Sequence, residues 1–142
     1  MVADFSSFVD AQKATFEKAR SELIAGAKMS HWIWYIFPQL GALGQSRTAK
    51  FYGIGSLDDA RAYVRHPVLG PRLLELTRIV LTHPEKSPQG IFGFPDDLKF
   101  RSSMTLFALA APEHAEFRKA LEAFYGSPDQ RTLELLGADW PA

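Results

Sequence analysis

The chain has 142 residues, 46% hydrophobic and 23% charged, a balance that belongs to folded globular proteins and excludes wholesale disorder. That length matches one domain, over residues 1–142, and buries roughly two-thirds of the surface its unfolded form exposes. Sixteen basic residues offset sixteen acidic ones, so no global field draws the chain toward nucleic acid or an anionic membrane.

Cysteine is absent, which removes disulfides, thiol nucleophiles and thiolate metal sites together and suits a reducing compartment. No apolar run reaches about 18 residues, and the N-terminus has no basic start followed by an apolar block. The expectation is a cytoplasmic protein with neither a membrane nor a nucleic acid as partner.

From residue 4 to about residue 25, Phe5, Phe8, Val9, Phe16, Ala19 and Leu23 recur at spacings of three, four and seven. Charged residues fall mostly between them, the pattern of an amphipathic helix that Gly26 can end. Residues 32–37 are aromatic or β-branched throughout. Propensity suits them to a buried strand, whereas Ser30 as N-cap and Pro38 as a stop suit a short helix. The helical surroundings favour the helix.

Four glycines at 41, 44, 53 and 55 then bracket a short segment over residues 46–52. Ser56 followed by Asp58 and Asp59 reads as a helix start, with acids where the dipole favours them, and this helix runs to Arg65. Pro67 is expected in the first turn of the next helix, which continues to Leu81 before His83-Pro84 closes it. Ser87-Pro88 and Ser127-Pro128 repeat one device, a serine cap with proline at the first helical position. Between them lie a turn over 89–92, a segment from 95 to about 110 and a helix over 112–124. A last helix follows over 128–136, stopped by Gly137. Nothing alternates long enough for a convincing sheet. The expected fold is all-α: a single compact array of about six to seven helices, several of them short.

Most familiar chemistries find no motif. The four histidines, at 31, 66, 83 and 114, are far apart, and HExxH, EF-hand and Walker patterns are missing, so neither a metal nor a cofactor is expected. Gly53-Ile54-Gly55 lacks the third glycine of a dinucleotide fingerprint. The serine-hydrolase and Ser-x-x-Lys patterns are absent too. Asp58-Asp59 and Asp96-Asp97 read as helix-start acids, because adjacent residues on a helix do not face each other.

Charge placement is more informative. No acid occurs from Leu23 to Leu57 or from Leu98 to Pro112. The first of these segments carries His31, Gln39, Ser46, Arg47 and Lys50. The second carries Lys99, Arg101, Ser102, Ser103 and Thr105. Clustered basic and hydroxyl groups without acid suit an anion, which arginine can grip bidentately. The competing reading leaves the bases in solvent and the hydroxyls on helix carbonyls. Trp32, Trp34, Tyr35 and Phe37 likewise read either as core or as a platform that stacks a base.

Three blocks resemble a known family. They are Met29-Ser30-His31-Trp32-Ile33-Trp34-Tyr35-Ile36-Phe37-Pro38-Gln39-Leu40, Ala62-Tyr63 with His66-Pro67-Val68-Leu69-Gly70-Pro71-Arg72-Leu73, and the run from Asp97 to Phe107. They are similar to a bacterial family of uncharacterised domains, domain of unknown function 1810, sometimes labelled calpastatin-like. The resemblance spans residues 5–136 and implies a compact, mostly helical fold with no assigned reaction. The label fits poorly, since a protease inhibitor of that name is largely disordered and this chain is aromatic and well punctuated.

Two functions are therefore expected as alternatives. The first is a pocket for a small anionic or phosphate-bearing ligand, lined by His31, Gln39, Ser46, Arg47, Lys50, His66, Lys99, Arg101, Ser102 and Ser103. If the protein is an enzyme, His31 or His66 would be its general base. The second is a non-enzymatic interaction module or homodimer, docking through aromatic surface and Trp140. For Arg101, an anion site requires a guanidinium unpaired by carboxylates, and a structural role points to Asp97 at helical spacing.

Overall fold

The computed structural model describes residues 4–141. Helices α1 (Ser6–Ala25), α4 (Leu57–Arg65), α5 (Leu69–Leu81), α7 (Asp96–Ala110), α8 (Ala115–Phe124) and α9 (Gln130–Leu136) build the array. The short α2 (Ile33–Ile36), α3 (Arg47–Phe51) and α6 (Pro88–Phe92) join them, with one 3₁₀ turn at Gly41–Leu43. Among the described residues there is no sheet; a single parallel bridge pairs Leu40 with Ile54. The all-α expectation holds, and the count exceeds it because three helices are only a turn or so long.

Helix α7 is the axis, with α2, α4, α6, α8 and α9 packed around it, while α5 joins α1, α4 and α8. Phe100, Met104, Leu106 and Phe107 on α7 are fully buried. Phe100 stacks on Phe92 with centroids 4.4 Å apart and meets Phe37 edge-on at 4.9 Å. Tyr63 is the core's buried polar aromatic; its hydroxyl accepts from Gln12 Nε2 at 3.1 Å, and burial pushes its phenol pKa up. The aromatic run at 32–37 is mostly core, with Trp32, Ile33, Ile36 and Phe37 each about 1% exposed.

Several helix starts differ from the sequence reading, among them that of α8, which begins at Ala115 and not at 112. Ser30 does not cap α2; its hydroxyl donates to Glu22 instead. Pro67 stays outside α5, which begins at Leu69. Ser127-Pro128 caps nothing, and the Asp129 carboxylate accepts the Thr132 N–H at 3.0 Å to start α9. A carboxylate is an equally good cap, and Ser127 is engaged elsewhere.

The chain reverses after α1 around Glu22. Its carboxylate accepts from the backbone N–H groups of Met29 (2.7 Å) and Ser30 (2.9 Å), the Ser30 hydroxyl (2.7 Å) and the Trp32 indole (3.0 Å). Burial pushes this carboxyl up, but the Ser30 hydroxyl and the other donors outweigh it and bring the pKa down from 4.5 to about 2.

A second constraint is a close crossing. The Leu40–Ile54 bridge brings Gly53 against Gly41, and a Cβ on Gly53 would lie 2.2 Å from the Gly41 Cα. Gly53→Ala should therefore destabilise by about 2 kcal/mol as the two loops part, measurable by urea unfolding. For Glu22 the depressed pKa fixes the sign. Its stabilisation is fully present above about pH 4.5 and is lost as the pH falls to about 2. Glu22→Gln should cost about 2 kcal/mol near neutral pH and flatten the stability profile across that window.

Candidate functional site

A groove of about 390 Å³ opens between residues 39–49 and the first turns of α7. One wall is Gln39, Leu43, Gln45, Ser46 and Ala49; the other is Pro95, Leu98, Lys99 and Ser102. Among the described residues, no carboxylate lines it. Apart from Pro95, every lining residue comes from the two acid-free segments of the sequence.

Each polar group has a defined capacity. The Ser46 hydroxyl accepts from the Ala49 N–H at 3.0 Å, capping α3, and keeps its own hydrogen to donate. Ser102, only 6% exposed, donates to the Leu98 carbonyl at 3.1 Å and keeps lone pairs to accept. The Lys99 ammonium lies 3.4 Å from Asp96 Oδ1 and 5.2 Å from the centroid of the Trp34 ring. Asp96 Oδ2 is in turn 2.7 Å from the ammonium of Lys28, whose side chain is 6% exposed.

Gln39, Ser46, Lys99 and Ser102 thus meet in one groove, and the other expected residues do not join its lining. Arg47 and Lys50 are exposed on α3, and His31 is exposed in the bend before α2. Ser103 is fully buried with its hydroxyl unpartnered. Sequence reasoning passed over Gln45, Leu98 and the Lys28–Asp96 pair. An acid-free segment marks a region, but only folding brings Lys28 to a carboxylate so distant in the chain.

His66 lines a different groove, with Asp4, Phe5, Ser6, Val9, Asp10 and Ala62. Its Nδ1 accepts from the backbone N–H groups of Val68 (3.1 Å) and Leu69 (3.2 Å) at the start of α5. That occupies the Nδ1 lone pair and puts the ring proton on Nε2. With Nδ1 already accepting from the backbone, the Nε2 position can donate but not accept, which opposes a general-base role. Among the described residues, no three His, Asp or Glu side chains are placed to hold a metal ion, and no helix is long and apolar enough to cross a membrane.

Arg101 does not pair with Asp97, and among the described residues its guanidinium meets no carboxylate. Its guanidinium donates to the Ser127 hydroxyl at 2.6 Å and carbonyl at 3.3 Å and lies over the Tyr125 ring at 5.2 Å. The Tyr125 hydroxyl donates to the Asp97 carbonyl at 2.6 Å. Arg101 therefore ties α7 to the connection before α9. Trp140 is also engaged within the chain, over Arg118 at 4.9 Å, while Arg118 donates to the Pro141 carbonyl at 2.6 Å. Arg101→Ala should lower unfolding stability by about 1 kcal/mol, read by urea titration.

The family model described as protein of unknown function, DUF1810, matches residues 2–136. No curated protein matches the chain. The fold is similar to the crystal structure of the conserved hypothetical protein Rv1873 from Mycobacterium tuberculosis, with a TM-score of 0.93. The two chains are 47% identical, and the match covers 96% of this chain and 98% of that one. With that identity, and with the family model running almost end to end, this chain belongs to the DUF1810 family.

Proposed function

We propose that this protein binds a small anionic ligand, bearing phosphate or carboxylate, in the groove between residues 39–49 and α7. The observation that carries the reading is the lining itself, which offers an ammonium, hydroxyls and carboxamides but no carboxylate. Lys99 is the cation of the site. Its contact with Asp96 is long, at 3.4 Å, and an ammonium has three N–H bonds, so it retains donors for a ligand. Ser46 and the carboxamides of Gln39 and Gln45 add donors, and Ser102 adds an acceptor. Leu43, Ala49, Pro95 and Leu98 supply an apolar wall for the ligand's body. The volume lies within the range of small-molecule clefts. No histidine lines the groove, which favours recognition over proton transfer.

A thermal-shift series with inorganic phosphate, AMP and ADP-ribose at millimolar concentration tests this reading, with uncharged adenosine as control. A ligand at a hundredfold excess over its Kd stabilises by about 2.7 kcal/mol, a rise of roughly 8 °C in Tm for a chain of this size. Lys99→Ala should abolish the rise, and Arg101→Ala should keep it. A flat response of the wild-type protein to every anion overturns the reading.

A further inference from the structure

Lys28 does not line the groove, yet its ammonium contacts the carboxylate that also contacts Lys99. Asp96 is a single carboxylate between two ammonium groups, 2.7 Å from Lys28 and 3.4 Å from Lys99. The Lys28 side chain is 6% exposed and that of Lys99 is 26% exposed, so the first pair is both shorter and less screened. Lys28 is held there by three further contacts. Its ammonium donates to the Ser30 carbonyl and lies 5.1 Å from the Trp32 ring centroid, and its backbone N–H donates to the Ile91 carbonyl at 2.7 Å. Asp96 is thereby neutralised by a residue that does not line the groove. The three groups together carry one net positive charge, and Lys99 is the member that reaches the groove.

We infer that Lys28 is a specificity-determining positioning residue, which occupies Asp96 so that the Lys99 ammonium stays free for the phosphate or carboxylate group of a ligand. This rests on the anion-binding reading above. Without Lys28, Asp96 turns wholly to Lys99 and the cluster is neutral. The matching ligand class is an organic phosphate or carboxylate, and uncharged analogues of the same body are excluded.

Calorimetric titration of AMP, and separately of inorganic phosphate, into four proteins tests the inference: wild type, Lys28→Met, Asp96→Asn and the double variant. Methionine keeps the length and apolar stem that pack beside Trp32. Lys28→Met should bind about tenfold more weakly or worse, Asp96→Asn several-fold more tightly, and the double variant within about threefold of wild type. A merely structural role for Lys28 would not be repaired by removing its partner as well, so recovery in the double variant separates the two. Unchanged affinity in Lys28→Met overturns the inference while the anion reading stands. Wild-type protein that binds neither probe overturns both. Should Lys28→Met fail to fold, Asp96→Asn alone decides, because weaker binding by that variant contradicts the charge balance.

Discussion

The corner built on the Glu22 carboxylate positions much of the rest of the molecule. An acid in the last turns of a helix works against the dipole, so Glu22 contributes nothing favourable to α1 itself. Its role is tertiary. Four donors from residues 29–32 converge on it, which turns the chain and seats the Trp32 indole in the core. Trp32 leads directly into α2, and α2 carries Trp34 to its place beside Lys99. The same corner bonds to α6 through the Lys28 N–H and to α7 through the Lys28 ammonium. One partly buried carboxylate, holding four donors, thus anchors the corner where α1, α2, α6 and α7 meet.

Burial of α7 decides which of its polar residues can reach the groove. Two of its buried hydroxyls turn to the helix itself, Ser102 and Thr105 both donating to carbonyls four residues earlier, while that of Ser103 has no partner. Thr105 also accepts the Asp129 N–H at 2.8 Å, tying the cap of α9 to the core. The first turns of α7 emerge beside the groove. Lys99 and Ser102, three residues apart, share the face that meets the groove. Arg101 and Ser103 point elsewhere, the first to Ser127 and the second into the core. A contiguous block of basic and hydroxyl residues is therefore split by helical geometry into groove-facing and structural members.

The same division separates the two histidines from the groove. His66 uses Nδ1 as the helix-start acceptor for α5, a task that Ser46, Ser56 and Ser87 perform for α3, α4 and α6 with hydroxyls. His31 stands in solvent one residue before Trp32. What remains in the groove is a set of donors and acceptors around one ammonium, chemistry suited to holding an anion in a fixed orientation.

Local signals in the sequence determined the helical class and most element ends, since periodicity, Ser56, Ser87-Pro88, Gly26 and Gly137 act within a few residues. Two acid-free segments also marked nearly the whole groove lining, because a charge missing over many positions is missing wherever the fold places them. Tertiary structure decided the rest. Ser30 and Ser127 are good caps in isolation, but each is claimed by a distant charged group, Glu22 for one and Arg101 for the other. A charge-assisted hydrogen bond is roughly twice as strong as a neutral one, so it overrides a cap worth about 1 kcal/mol. The pairing of Lys28 with Asp96 has no trace in local pattern at all. Periodicity reports which face of a helix is buried, and only the packed chain reports which charges that burial brings together.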